Sequence, residues 1–186
     1  MIVFSIIVIL SLFSYSSFSS FLNRSHDHIV QSQLLDGLQL ARQESKIRRA
    51  PIAICQSDDR WHCKANAQNG FIIFQNNKQD GIVTNKQQMI SVISNDSKKG
   101  QWFLHSYPLY REFILFFSYG PIQSDNGRFW YCQHNQAFPS FALILNQSGQ
   151  AYHVLPDKNG LIKDAKGRVL HCSYELKTTQ FQQSTF

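Results

Sequence analysis

Residues 1–50 read MIVFSIIVILSLFSYSSFSSFLNRSHDHIVQSQLLDGLQLARQESKIRRA, an apolar run followed by an amphipathic one. The apolar part, Met1–Leu22, is long enough to cross a bilayer as one helix, which needs about 20 residues. In the amphipathic part, apolar or small side chains recur at spacings of three and four, at Val30, Leu34, Leu38, Ala41 and Ser45. The pattern predicts one long helix, which Pro51 ends because the residue before a proline is disfavoured in the α region.

Three interpretations of this helix are open. A cleaved secretory signal would release a secreted, disulfide-bonded β protein, but it would have a basic start and an A-x-A-like cut site. Here the first basic residue is Arg24, and the serine-rich stretch 11–20 offers poor cleavage candidates. A plain single-pass membrane anchor would explain the length of the apolar run but no other feature of it. A helix that later packs against copies of itself is modestly favoured by the serines, because small residues let helices approach closely.

The composition of the chain beyond the apolar run indicates one ordered, basic domain. About 140 to 160 residues are left without the anchor, the size of a single domain with its own core. Aromatic residues are frequent at 13% and charged residues sparse at 16%, the opposite of a disordered tail. The net charge of +6 suits an acidic partner such as nucleic acid or anionic lipid. Most such basic residues simply form part of a solvated surface. Two small clusters of basic residues stand out: Lys46, Arg48 and Arg49, and Lys163, Lys166 and Arg168.

The four cysteines, at positions 55, 63, 132 and 172, follow a segment predicted to cross a membrane. An even number in that context indicates an oxidising compartment and two disulfides, with three possible connectivities. We favour Cys55–Cys63, which closes a short loop, and Cys132–Cys172, which ties a strand to the C-terminal segment. The chain-entropy model assigns the larger loop roughly 4 kcal/mol and the smaller one about 2.5 kcal/mol.

Beyond Pro51 the pattern changes from helical to extended, with turn-rich segments between short apolar or alternating runs. The runs that predict strands are residues 51–57, 70–76, 88–94, 101–107, 112–119, 127–133 and 141–147. A long helix followed by an antiparallel meander is an α+β architecture, with the amphipathic half of the helix packed on the sheet. The predicted organisation is a transmembrane half (1–22), an amphipathic half (23–50) and one β-rich domain (51–186).

The order of motifs resembles the GspH/FimT family of minor pilins and pseudopilins. ARQESKIRRAPIAIC (41–55) is similar to that family's helix-to-first-strand motif, matched at Ala41, Arg42, Glu44, Ser45, Arg48, Pro51 and Cys55. GFIIFQNNKQDG (70–81), FSYGPIQSDNGRFWYC (117–132) and FALILNQSG (141–149) resemble later family segments in the same order. Each motif is loose, but their order and spacing together are fairly specific, and they extend over residues 11–149.

This resemblance implies a pilin-like fold and a structural role in a type IV pilus or a type II secretion filament. The implied location is the bacterial inner membrane, with the C-terminal domain in the periplasm before assembly. The implied partners are other pilin or pseudopilin subunits, the inner-membrane assembly machinery and the lipid bilayer. An alternative is a DNA-binding minor pilin that acts in DNA uptake, with weak phosphate contacts from Lys163, Lys166 and Arg168 and from Arg48 and Arg49.

Three departures from the family pattern bear on these expectations. The basic leader and the Phe-Thr-Leu-Ile-Glu start of the family are absent. Either the start has been assigned too late, which we favour, or this chain has lost the peptidase site and the glutamate that helps subunits to assemble. The Gly-Arg-x-Arg motif of DNA-binding members is replaced by Gly149-Gln150-Ala151-Tyr152, which lacks arginine. The chain also continues for more than thirty residues, where Gly167-Arg168-Val169-Leu170 is half of that motif.

No motif nominates catalytic chemistry, a metal or a cofactor. G-x-S-x-G, H-E-x-x-H and P-loop patterns are absent from the sequence. His26 and His28 are two residues apart on a helix and so point to different sides. The turn 76–81 loosely resembles a calcium loop, but Lys78 stands where an oxygen ligand is needed. We predict a protein that is not an enzyme.

Overall fold

The computed structural model describes residues 2–107, 111–119, 123–134, 136–164 and 167–172, with side chains from Ser25 onward. In this part of the chain, one helix, α1 (Ile2–Arg48), precedes eight strands and a 3₁₀ turn (Lys86–Gln88). The strands are β1 (Ile52–Gln56), β2 (Gly70–Gln75), β3 (Met89–Ser94), β4 (Gly100–Tyr107), β5 (Phe113–Phe116), β6 (Asn126–Gln133), β7 (Phe141–Leu145) and β8 (Ala151–Val154).

The strands form two four-stranded antiparallel sheets, so the α+β class is confirmed but the single meander is wrong. The first sheet has the order β3-β2-β1-β5, and the second has the order β4-β6-β7-β8. The chain passes from the first sheet to the second at β4 and returns to the first sheet at β5. β5 pairs with β1, and Ile54 and Ile114 are register partners. β8 was not predicted, because it is a short, partly exposed edge strand with little apolar content.

One core is shared by α1 and by the inner faces of both sheets. Leu34 and Ala41 are fully buried on the helix, and Val30 and Leu38 nearly so. They belong to one cluster with apolar residues of β1, β2 and β5 and with aromatic residues of the second sheet. Its largest side chains are Phe71, Trp102, Phe116, Phe129, Tyr131 and Phe141. The 3.6-residue periodicity therefore gives α1 one buried side, as the sequence pattern predicts.

Apolar residues also cover the outer face of each sheet. On the first sheet, Ala53, Ile72, Phe74 and Leu115 alternate with the core residues and pack with Val83 and Cys63 from loops. On the second sheet, a cluster joins Phe103, Trp130 and Ala142 to Ile162 and Leu170 of the C-terminal segment. β1 is buried along its whole length, which explains why its sequence IAICQ shows no polar alternation.

Gly37 lets α1 approach β2 and β3 closely. A Cβ at this position would lie 2.4 Å from Ile93 Cδ1 and 3.3 Å from Ile73 Cδ1. Both neighbours are ends of flexible side chains, so an added methyl group could be accommodated by a rotamer change. A larger side chain would have to push the helix away from the sheet.

We expect Gly37→Leu to lower the free energy of unfolding by about 1–3 kcal/mol, because the added atoms overpack a closed interface. Urea unfolding followed by circular dichroism measures this change. The matched control is Gln33→Leu, at an exposed position one turn earlier. Equal stability of the two variants would contradict the close approach.

The helix ends at Arg48, before Pro51. Arg49 has a φ of 51°, the left-handed conformation common just after a helix, and Ala50 N donates to Ser45 O at 3.3 Å. The chain then enters β1 directly. This short connection sets the end of the helix beside the middle of the first sheet.

Two disulfides join Cys55 to Cys63 and Cys132 to Cys172, the pairing that the sequence favoured. The first lies on the outer face of the first sheet, where Cys63 N also donates to Gly81 O at 2.9 Å. The second joins β6 to the C-terminal segment across 40 positions of sequence.

Candidate assembly surface

The side of α1 that faces the domain is anchored near its C-terminal end by Arg42. Its Nη2 donates to Gln123 Oε1 at 3.1 Å. Its side chain also lies along the turn after β7, where a Cβ on Gly149 would be 3.3 Å from Arg42 Cδ. Gly149 has a φ of 73°, so glycine suits both the turn and the close approach. Arg42 therefore links the helix to loops of both sheets.

The other residues of the 41–55 motif have structural roles in the same region. Ala41 is fully buried in the core. Ser45, also fully buried, has its Oγ 2.8 Å from Arg42 O and 3.4 Å from Phe117 O. Glu44 accepts from Arg48 Nε at 2.6 Å across one turn of the helix. The motif thus fixes where the helix ends against the first sheet.

Two isoleucines are exposed on the opposite side of α1. Ile29 is 58% exposed and Ile47 is 73% exposed. They are eighteen residues apart, which is five full turns, so they lie on the same line along the helix about 27 Å from each other. The buried residues Leu34 and Leu38 are rotated well away from this line. We call the line through Ile29 and Ile47 the outer face of the helix.

Ser57, Asp59 and His62 form a cluster in the first disulfide loop that sequence reasoning missed. Ser57 Oγ donates to Asp59 Oδ1 at 3.1 Å, and His62 Nδ1 lies 2.6 Å from Asp59 Oδ2. The His62 contact and the Trp61 and His62 amides hold the pKa of Asp59 well below its ordinary value. The carboxylate separates the hydroxyl from the imidazole, so His62 is not placed to take the Ser57 proton. The cluster organises the turn.

The predicted nucleic-acid contacts divide between two elements. Arg48 and Arg49 lie at the end of α1, whereas Lys163 and Arg168 lie in the C-terminal segment and Lys166 lies outside the described residues. Lys163 Nζ is 3.0 Å from Asp157 Oδ2, and Arg168 Nη2 is 2.8 Å from Asp164 Oδ2. Arg48 is engaged by Glu44. DNA binding through these residues stays a prediction, and a phosphate would have to compete with their carboxylate partners.

The turn 76–81 uses its side-chain oxygens for its own backbone. Asn76 Oδ1 accepts from Asp80 N at 3.2 Å, and Asp80 Oδ1 accepts from Ile82 N at 3.1 Å. Among the described residues, no three or more His, Cys, Asp or Glu side chains are grouped so that they could hold a metal ion.

Cavities that are open to solvent in the described part of the chain include a cleft beside α1 and a smaller cavity near β4. A cleft of about 440 Å³ lies between α1 and the β6–β7 loop, where Asp27 Oδ2 accepts from Gln133 Nε2 at 2.8 Å. A smaller cavity of about 150 Å³ is lined by Gln56, Ser106, Arg111 and Glu112, among others. Burial raises the pKa of Asp125, which pairs with Arg111 at 3.2 Å. Burial also lowers the pKa of His105, beside Arg128.

The part of α1 whose side chains are described, from Ser25 onward, contains no stretch long and apolar enough to span a bilayer. The side chains of the predicted membrane segment, Met1–Leu22, lie outside the described residues, although its backbone from Ile2 onward is part of α1.

The model of one protein family, Type II transport protein GspH, matches residues 31–149, which is more than half of the chain. The chain belongs to the GspH family. The match begins in the amphipathic half of α1 and ends at the turn after β7, so it contains the 41–55 motif and confirms the resemblance drawn from the sequence. The family consists of structural pilin and pseudopilin subunits.

Solved structures with similar folds include the type IV minor pilin FimU of Pseudomonas aeruginosa, at 16% identity and a TM-score of 0.45. That similarity covers 68% of this chain and 91% of FimU. The solution structure of Escherichia coli GspH is similar at 11% identity and a TM-score of 0.44, over 70% of this chain and 89% of the other. No curated protein matches this chain.

Proposed function

We propose that this GspH-family chain is a membrane-anchored minor pilin or pseudopilin, a non-enzymatic subunit of a type IV pilus or type II secretion filament. The observation that carries the proposal is the continuity of α1, which runs unbroken from Ile2 to Arg48. One half of this helix has the composition of a membrane span, and the other half is packed into the β domain. A rigid rod of this kind links a bilayer to a folded domain without a flexible joint.

The length of the helix supports an anchor. The part of α1 before Ser25 has 23 residues and so a length of about 35 Å at 1.5 Å per residue. The hydrocarbon layer of a bilayer is about 30 Å thick. The β domain would therefore begin close to the membrane surface, with Asp27 and Val30 just outside it. Both disulfides suit the periplasm, where thiols are oxidised.

The outer face of the helix supports assembly. Isolated exposed apolar residues are common on protein surfaces. Here, however, Ile29 and Ile47 are aligned along a helix whose other side is already buried. A helix from a neighbouring subunit could cover both side chains at once. The same contact between helices would continue along the apolar half of α1. Neighbouring pilin or pseudopilin subunits are therefore the proposed partners, with the inner-membrane machinery acting during assembly.

The anchor is tested by Val8→Arg, which places a charge near the middle of the apolar segment. Insertion of a central arginine costs about 2.5–3.5 kcal/mol, so we expect most of the chain to leave the membrane fraction. The measurement is resistance to alkaline extraction of bacterial membranes that contain the full chain. Val92→Arg, at a partly exposed position of β3, is the matched control and should stay in the membrane. Equal extraction of the unmodified chain and the Val8 variant would overturn the anchor.

A further inference from the structure

The C-terminal segment crosses the outer face of the second sheet. We call its described residues, 155–164 and 167–172, the strap; they lie beyond the part that the family model matches. Phe103, Trp130 and Ala142 are register partners on β4, β6 and β7 and form one apolar row. Ile162 and Leu170 of the strap are almost completely buried against that row. Removing the strap would expose the row to solvent.

The backbone of the strap is bonded largely to itself. Leu170 N donates to Ile162 O at 2.8 Å, and Asp164 N donates to Arg168 O at 2.8 Å. These bonds fold the strap into a hairpin-like loop, with a bridge between Lys163 and Val169. The loop lies on the sheet face and does not extend the sheet as a strand. Its backbone therefore gains little from contact with the sheet itself.

Beyond the packing of Ile162 and Leu170, the polar contacts that join the strap to the second sheet and to the β6–β7 loop are grouped at two places. Arg128 Nη1 on β6 is 2.9 Å from the buried Asp164 Oδ2. At the C-terminal end, Trp130 Nε1 donates to His171 O at 3.0 Å, and Cys172 N donates to Ala137 O at 3.0 Å. The same end carries the Cys132–Cys172 disulfide.

The two sulfur atoms of this disulfide belong to residues with different exposure. Cys132 is 4% exposed, whereas Cys172 is only partly buried. An incoming thiolate would therefore attack Sγ of Cys172, form a mixed disulfide there and release Cys132 as a thiolate, which takes up a proton. A second thiol of the same reductant would then free Cys172. One dithiol is oxidised to a disulfide, and one protein disulfide is reduced to two thiols.

We propose that the Cys132–Cys172 disulfide is a redox-controlled link that holds the strap over the second sheet. Reduction by a dithiol releases the strap and exposes the row of Phe103, Trp130 and Ala142, while α1 and both sheets stay folded. The physical reason is that ordering the strap costs conformational entropy for every residue, and the disulfide removes much of that cost by closing the loop.

The first disulfide loop, unlike the strap, is held in place by backbone hydrogen bonds and therefore provides a control. Its residues are bonded to the first sheet and its neighbours by backbone groups: Ser57 N to Gly70 O at 3.1 Å, and Lys64 N to Gln56 O at 3.0 Å. Gln56 Nε2, which is buried, also donates to Ala67 O at 3.2 Å. Loss of the Cys55–Cys63 bond should therefore leave both this loop and the strap in place.

The test is limited trypsin digestion of the full chain in detergent micelles. Lys158, Lys163 and Arg168 are the reporter sites within the strap. We expect Cys132→Ser with Cys172→Ser to speed cleavage at these sites at least tenfold, and Cys55→Ser with Cys63→Ser to leave that rate unchanged. Quenching of tryptophan fluorescence by iodide should rise only in the first variant, because Trp130 of the aromatic row becomes accessible to water.

Treating the folded, unmodified protein with dithiothreitol gives the same comparison without relying on a variant to fold. Thiol labelling and peptide mapping then identify which disulfide has opened. Faster strap cleavage, with unchanged far-ultraviolet circular dichroism of the helix and the sheets, supports the proposal. Continued protection of the strap after Cys132–Cys172 is reduced would overturn it. Cleavage throughout the domain would also overturn it, because the strap would then be an integral part of the fold.

Discussion

Replacing both Ile29 and Ile47 with glutamate is expected to keep the chain out of filaments without unfolding its domain. Both side chains are largely exposed, so the stability of the isolated subunit should change by no more than about 0.5 kcal/mol. In a filament the same positions would lie against a neighbouring helix, where two unpaired charges are strongly unfavourable. The measurement is the fraction of the chain that sediments with sheared filaments, which should fall at least tenfold.

The matched control places leucine at both positions and so keeps these two side chains apolar. We expect filaments that contain the leucine variant to form normally. If the glutamate variant enters filaments as well as the leucine variant does, the outer face of the helix is not an assembly surface. If the glutamate variant unfolds, the two isoleucines support the domain in a way that their exposure does not indicate.

Leu34→Ala is expected to lower the free energy of unfolding by about 2–5 kcal/mol. Leu34 is fully buried and belongs to the cluster that joins α1 to both sheets, so the lost methyl groups leave a cavity that rigid strands cannot close. Urea unfolding of the full chain in mild detergent measures the change. Gln33→Ala, at the exposed neighbouring position, should change stability by less than about 0.5 kcal/mol. A cost below about 1 kcal/mol for Leu34→Ala would mean that the helix is not part of the main core.

The helix and seven of the strands could be predicted because their information is local. Val30, Leu34, Leu38 and Ala41 repeat with the helical period, and Pro51 limits the end of the helix. The strand runs are rich in β-branched and aromatic residues and are separated by Asn, Asp and Gly. The favoured disulfide pairing also rests on simple spacing within the sequence.

The division into two sheets could not be predicted in the same way. It depends on β5 pairing with β1, about sixty residues earlier, and not with its neighbour β4. β1 and β5 are buried on both faces, so the alternation that usually assigns a strand to a sheet face is missing. The strap is similarly difficult to predict, because the fully packed apolar residues in its described part, Ile162 and Leu170, are eight residues apart.

The Ser57–Asp59–His62 cluster and the Arg42–Gln123 contact needed the structure for another reason. Both consist of ordinary polar residues without a recognisable chemical motif, and the Arg42 contact joins positions 81 residues apart. By contrast, the 41–55 motif could be found from the sequence, and the structure explains it: its members fix the junction between α1 and β1.

The central claim is that this GspH-family chain enters a filament with its apolar helix still attached. Mass spectrometry of the chain recovered from purified filaments tests it most directly. We expect the chain in the filament fraction, with peptides that include residues 2–22. Recovery of the chain only as a soluble periplasmic monomer that begins after Leu22 would contradict the claim.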